Sequence, residues 1–453
     1  MTRVIKVGKT TFAALAVPNF RRYYSGQAIS LIGTWMQMTA QAWLVLTLTH
    51  SSTALGVIVA LQTIPVLFLA PYGGVIADRV DKRRLMIALQ TAMGFQALIL
   101  GLLTVTGAVR VWEIGVLAAL LGVNNAFENP SRQSFMLEMV GPEYLRNAVS
   151  LNSVLVNVAR AIGPAVAGLL IAGVGDGVCF LVNAGSFAAV VASLATMDRT
   201  KLNPTEPSPR ERGQLAAGLR YVRRTPGLAV PLVMMGVVGC LTYEFQVSLP
   251  VMASRGLHVG ASGFGFMTAA MGVGAVGGGL VMAARGKTGL RVLVLGASAF
   301  GAAMTLATFA PNLGTELIAL ALVGAASIAF MSAGNSTLQL GSEPEMRGRV
   351  MSLWFVAFQG STPIGGPLVG WVMAAGGARA GLGLGAATCI IAAAAGWLWL
   401  RRSYAAPFTA AGGAPRVRRH RRRGWINRPR SAPSARPRER RPASGAARSP
   451  VDP

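Results

Sequence analysis

Twelve stretches of this chain run for about twenty residues or more with almost no charge, and polar or basic segments separate them at suitable intervals. A helix needs about 20 mostly apolar residues to cross a bilayer, so each stretch is long enough to do so. The predicted spans are 26–48, 54–77, 84–106, 112–134, 147–172, 177–197, 229–252, 260–284, 290–310, 314–338, 349–375 and 379–400. Strands are a poor alternative, because a membrane barrel shows short segments of alternating polarity rather than continuous apolar runs. Composition agrees: 53% of residues are hydrophobic and 13% charged, against roughly 25% charged in an average soluble domain. The expected fold is therefore an all-α membrane protein with twelve transmembrane helices.

Lysine and arginine set the orientation, since short cytoplasmic loops carry them in excess. One side collects Arg21 and Arg22 before the first span, Arg79, Lys82, Arg83 and Arg84 after the second, and Arg285, Lys287 and Arg291 after the eighth. The same side takes Arg199, Lys201, Arg210, Arg212, Arg220, Arg223 and Arg224 between spans six and seven, whereas the opposite loops hold only Arg110, Arg255 and Arg379. With an even number of spans, both termini are expected in the cytoplasm. No cleavable signal peptide is expected, because the first apolar segment has full span length and no exit site. The predicted layout is a cytoplasmic segment 1–25, a six-helix half 26–197, a linker 198–228, a second half 229–400 and a tail 401–453.

Cys179, Cys240 and Cys389 stand singly in or beside apolar segments, which suggests neither a disulfide framework nor a metal site. Much of the formal charge of +26 lies in the tail, where arginines from Arg416 to Arg448 alternate with Pro, Ser, Ala and Gly. Such a segment has no core to bury. It could contact anionic lipid headgroups or act as a nucleic-acid arm; its place directly after Trp397, Trp399, Arg401 and Arg402, an interfacial anchor, favours lipid. No nucleic-acid partner and no obligate oligomer are expected.

The chain echoes itself. Pro142-Glu143-Tyr144-Leu145-Arg146 through Leu151 returns as Pro344-Glu345-Met346-Arg347 through Leu353, and Gly163-Pro164 with Gly168 returns as Gly366-Pro367 with Gly370, at an offset of about 202 residues. Span five thus corresponds to span eleven, and the twelve spans fall into two pseudo-symmetric six-helix halves. In such repeats the substrate binds near the midplane between halves that rock.

On these residues the chain resembles the major facilitator superfamily. Gly74-Val75-Ile76-Ala77-Asp78-Arg79-Val80-Asp81-Lys82-Arg83-Arg84 fits its signature loop, and Arg160-Ala161-Ile162-Gly163-Pro164 with Gly168 is similar to the Gly-Pro motif of its drug:proton antiporter branch. Asn19-Phe20-Arg21 with Gly26-Gln27, Asn129-Pro130-Ser131-Arg132-Gln133 and Asn152-Ser153 look like the bacterial group that contains the enterobactin exporter and macrolide efflux proteins, the transmembrane secretion effectors. The resemblance covers about 18–400. It departs after span eight, where Ala283-Ala284-Arg285-Gly286-Lys287 lacks the acidic residue, and in span four, which lacks the Arg-x-x-Gln-Gly pattern tied to proton coupling elsewhere. The resemblance implies secondary active transport, with the proton gradient as driving force and no bound cofactor or metal.

It also implies that Asp78 acts as a gate latch, facing a basic partner and the start of span eleven when the cytoplasmic side closes, with Gly74, Arg79, Lys82, Arg83 and Arg84 completing the gate. A plain positive-charge anchor is the alternative. In span one, Gln27, Ser30, Thr34, Gln37 and Gln41 recur three and four apart and share one face. That face must avoid lipid, so it lines a pathway or hydrogen-bonds other helices. Asn125, Asn157, Gln246 and Gln359 are further pathway candidates. Charges inside spans are functional candidates by default. Glu244 is preferred as proton carrier and Glu128 comes second, with Arg132 and Arg160 as basic partners or structural ion-pair members. Gly163, Pro164, Gly168, Gly366, Pro367 and Gly370 are expected to bend and pack helices.

No Walker-type Gly-x-x-x-x-Gly-Lys-[Ser/Thr] loop is present, and His50, His258 and His420 are too sparse for metal hydrolysis. A membrane enzyme would show a cluster of acid, base or nucleophile, and none is evident. The expected function is export of a small organic molecule; an uptake symporter is the main rival.

Overall fold

A computed structural model of the protein describes residues 12–203, 214–286 and 288–405. The Arg-rich tail beyond 405 and Lys287 lie outside the described residues, as do Arg210, Arg212 and the side chain of Asp78.

The helices follow the apolar runs. α1 is Pro18–Thr49, opened by a proline whose missing N–H is no loss in a first turn. α2 is Ser52–Arg79, capped by the Ser51 side chain, which accepts from Ala54 N at 3.2 Å. α3 is Lys82–Val105, capped by Asp81, which accepts from Arg84 N at 3.0 Å. These short polar caps satisfy donors that a helix start leaves unpaired.

The next run, α4, spans Val111–Val174, 64 residues, and contains predicted spans four and five. It is two limbs joined at Gly141, whose φ of 70° and ψ of 173° lie outside helical space. Glycine tolerates that conformation, and Pro142 then starts a fresh helix without an N–H to satisfy. α5 is Asp176–Ala195. The segment read from sequence as a linker contains a further helix, α6, Gln214–Arg224, which lies against Arg349 at Gly218 and receives the Glu343 N–H on Tyr221 Oη at 3.3 Å.

Predicted span seven is not one helix. It divides into α7, Pro226–Leu241, and α8, Phe245–Val251, followed by a π-helical turn at Met252–Gly256. Pro250 inside α8 removes a backbone donor, which favours such a local rearrangement. α9 is Gly260–Arg285, α10 is Leu290–Phe309 and α11 is Leu313–Gly341. Predicted span eleven is likewise divided, into α12, Pro344–Gln359, and α13, Thr362–Gly376, with a break at Gly360-Ser361. α14 is Ala380–Ala405.

Among the described residues, nine helical segments are long and apolar enough to cross a membrane, one of them the 64-residue α4. The first group of helices packs α1 on α4 and α5, α2 on α4, and α3 on α5; the second packs α9 and α10 on α11, and α10 on α14. α2 with α13, and α4 with α9, join the groups.

These joins use small residues, which let backbones approach. A Cβ on Gly56 of α2 would stand 2.9 Å from Pro367 Cα, and one on Gly370 of α13 would stand 3.0 Å from Thr53 Cα. Ser52 Oγ donates to the Gly370 carbonyl at 2.7 Å in a buried contact. On the other side, a Cβ on Gly168 of α4 would stand 2.8 Å from Ala261 O, and one on Gly272 of α9 would stand 3.0 Å from Ala161 Cα. The two copies of the Gly-Pro repeat therefore occupy equivalent joins between the groups. Many of these contacts cluster at the end that carries the α1–α2 and α8–α9 turns, where Arg255 also donates to the His50 carbonyl and Trp43 stacks on Phe264 at 6.1 Å.

Candidate translocation site

The break between α7 and α8 places three consecutive polar side chains on three different helices. Thr242 Oγ1 donates to Gly385 O of α14 at 3.2 Å, Tyr243 Oη donates to Ser327 O of α11 at 2.7 Å, and Glu244 turns to α13. The Glu244 carboxylate is buried, with Oε1 free of any hydrogen bond. It lies on the glycine surface of α13: a Cβ on Gly365 would stand 2.8 Å from Oε1 and one on Gly366 3.6 Å from Oε2. The Thr362 hydroxyl hydrogen-bonds the carboxylate. Gly366 is the same residue that meets Gly56 of α2, so Glu244 sits beside a join between the two groups.

Arg160 stands near the middle of the second limb of α4, half-buried, with its Cζ 4.9 Å from the centre of the Trp35 ring. Direct contact of the two helices fixes this register: one turn on, a Cβ at Gly163 would stand 2.6 Å from Trp35 Cβ and 2.8 Å from Ile32 O. Arg160 Nε is buried without a hydrogen-bond partner, and the guanidinium lies within electrostatic reach of Tyr243. Tyr243 belongs to an aromatic group with Phe358 at 5.2 Å, Phe300 at 5.3 Å and Phe245 at 6.1 Å. The ion pairs among the described residues leave out both Arg160 and Glu244. A central arginine costs at least about 2.5–3.5 kcal/mol when lipid is its surroundings, so its place against Trp35 and Tyr243 needs a polar or aqueous neighbour.

Glu128 and Arg132, by contrast, form an ion pair on the first limb of α4. Arg132 Nε lies 3.0 Å from Glu128 Oε1, its NH2 donates to Asn129 Oδ1 at 3.0 Å, and Gln90 reaches Glu128 at 3.5 Å. The structural ion pair weighed for Glu128 is thus present, and the one weighed between Glu244 and Arg160 is absent among the described residues.

On the α1 face, Gln27, Ser30, Gln37 and Gln41 are buried, and Thr34 is half-buried with its hydroxyl on Ser30 O. Gln37 joins three helices: its Nε2 donates to Gln96 of α3 at 3.1 Å and its Oε1 accepts from Asn183 of α5 at 2.6 Å. Gln41 donates to Gln62 at 3.4 Å, and both line a narrow cleft with Gln246 of α8. Asn125 and Asn157 are half-buried; the Asn125 carbonyl accepts from Asn129 Nδ2 at 3.2 Å, Asn157 Nδ2 donates to Ser153 O at 2.8 Å, and Gln359 ends α12, half-buried. Gln62, Gln96, Asn183, Tyr243 and Thr362 join the site although the sequence reading did not select them; each is a polar side chain within an apolar run, the signal that would have found them.

In the signature loop, Lys82 and Arg83 are buried and act within the first group. Lys82 Nζ lies 2.6 Å from Glu138, and Arg83 donates at 2.7 Å to both Leu194 O and Ala195 O, capping the end of α5. Gly74 is buried, Arg79 is exposed, and Arg84 meets Asp81 at 3.6 Å.

The described helices form a polytopic bundle with polar groups at a junction of two helix groups. The backbone superposes on that of the nucleoside transporter NupG with a TM-score of 0.71, at 11% identity, covering 84% of this chain and 99% of that one. Residues 9–410 match the family described as transmembrane secretion effector, and the chain belongs to that family. It is 31% identical over 151 residues to the staphyloferrin A transporter of Staphylococcus aureus, a match covering 33% of this chain and only 38% of the relative. Longer matches are 26% identity to the enterobactin exporter EntS of Shigella boydii, covering 78% of this chain and 85% of the relative, and 24% to macrolide efflux protein A of Streptococcus pyogenes, covering 76% and 87%. Family and structural neighbours are transporters, not enzymes.

Proposed function

We propose that the chain is a proton-coupled exporter of a small organic molecule, a siderophore, macrolide or drug-like compound, working by alternating access in a bacterial plasma membrane. Twelve crossings follow when α4 is counted as two spans and α1, the α7–α8 pair and the α12–α13 pair as one each. Both termini then lie in the cytoplasm, and the contacts between halves lie toward the outside, as expected of an inward-facing state. Export as the direction is favoured by likeness to proteins named for efflux and secretion.

The observation that carries the reading is Glu244. A buried carboxyl whose Oε1 has no hydrogen-bond partner among the described residues, against the glycine surface joining α2 to α13, is where taking up or losing a proton changes what the interface must solvate. When deprotonated, the carboxylate needs water or a cation and disfavours the packed join; when protonated, it tolerates closure. Asp78, with Arg79, would latch the cytoplasmic side in the opposite state.

Everted membrane vesicles with an acidified lumen test this across siderophores, macrolides and dyes. Accumulation should follow the imposed pH gradient, and Glu244→Gln should abolish that dependence at normal expression. Gradient-driven transport that survives in Glu244→Gln rejects Glu244 as carrier, and uptake favoured by the reverse gradient makes the chain an importer.

A further inference from the structure

We infer that Arg160 is the anchor of an organic-anion site: the substrate carries a carboxylate or acidic phenolate that pairs with this guanidinium, and an aromatic body that rests beside Tyr243 and Phe358. The inference rests on the transport reading above and adds to it the charge of the cargo.

Three observations place the site. Arg160 is in none of the ion pairs among the described residues, whereas the charges of Glu128, Arg132, Lys82 and Glu138 are matched where they stand. Its Nε is buried with no acceptor, so one edge of the guanidinium is desolvated and unsatisfied. Its Cζ lies over the Trp35 ring at 4.9 Å, a contact that holds the guanidinium in place without neutralising it. A planar fork of N–H donors held in this way matches a carboxylate in two parallel hydrogen bonds.

Position ties the anion to the transport cycle. Arg160 and Trp35 belong to the first half and Tyr243 and Phe358 to the second, and the α9 backbone at Gly272 abuts Arg160 itself: a Cβ there would stand 3.2 Å from Arg160 O. Tyr243 Oη is already committed to Ser327 O, so its ring, not its hydroxyl proton, faces a ligand. An aromatic anion bound here touches both halves at once. Glu244 turns away to α13, so the group for the cargo and the group for the proton are separate.

The test uses the full chain in nanodiscs and two dyes that share a xanthene ring but differ in charge, carboxyfluorescein as anion and rhodamine 6G as cation. Binding is read by dye anisotropy after subtraction of empty nanodiscs. The parent protein should bind the anion about ten-fold or more tightly than the cation. Arg160→Gln should lose about ten-fold or more of anion affinity and none of the cation affinity, with Arg160→Lys between the two. Equal affinities in the parent protein, or undiminished anion binding in Arg160→Gln, overturn the proposal; the first comparison needs no variant and so stands whether or not one folds. Glu244→Gln should retain the anion preference. Because the readout requires no gradient, anion selectivity without any vesicle transport would sink the export reading and leave this site intact.

Discussion

The two limbs of α4 treat charge in opposite ways. On the first, Glu128 and Arg132 are four residues apart and pair at 3.0 Å, with Gln90 beside Glu128 and Asn129 accepting from Arg132. On the second, Arg160 has an aromatic face for company and no acid among the described residues. Glu244, at the α7–α8 break, is its mirror case, an acid in none of the ion pairs among the described residues. A paired charge is structural, since removing either partner strands the other in a medium that cannot solvate it. An unpaired one is free to take a proton or a ligand, and its removal relieves the fold.

This contrast can be broken by measuring unfolding in detergent. The largest effect should come from Glu128→Gln, which strands Arg132 and is expected to cost about 3–5 kcal/mol, with Glu128→Gln/Arg132→Gln recovering part of the loss. A single variant as stable as the parent would mean that the pair is not the support described here. Gln37→Met removes the polar junction between α1, α3 and α5 but leaves Gln96 and Asn183 able to find one another, so it should cost about 0.6 kcal/mol and no more than about 1.7. The smallest change belongs to Arg160→Gln: loss of roughly 0.5–1 kcal/mol of cation–π contact is offset by removal of a desolvated charge, so the two nearly cancel and stability stays close to the parent's. A large loss there would reveal a hidden partner and make Arg160 a second Arg132.

Much of this arrangement was legible in the sequence, for a physical reason. Hydropathy and loop charge depend on local composition, so the apolar runs could be located one by one, and the repeat of Gly163-Pro164 at Gly366-Pro367 announced two equivalent joins. The buried polar face of α1 was readable from spacing alone. What was not readable depends on contacts between distant segments. Nothing in Thr242-Tyr243-Glu244 breaks a helix by propensity; the break is stabilised by three bonds to α11, α13 and α14. Trp35 lies off the polar stripe of α1, so spacing does not select it, although its ring is the one beneath Arg160. Gln37 was readable as polar and inward, but its choice of Gln96 and Asn183 depends on how three helices are rotated. The helix Gln214–Arg224 was read as linker because its basic residues dominate the composition of that stretch.

The α2–α13 join has one more property. It is made of glycine backbones and a serine hydroxyl on a carbonyl, and at the same end of the molecule Arg255 donates to the His50 carbonyl and is in none of the ion pairs among the described residues. A door fastened by shape and neutral dipoles has little for dissolved ions to screen. Its release threshold should therefore stay nearly constant as the surroundings turn brackish or dilute, leaving the decision to open with the cargo and the proton inside.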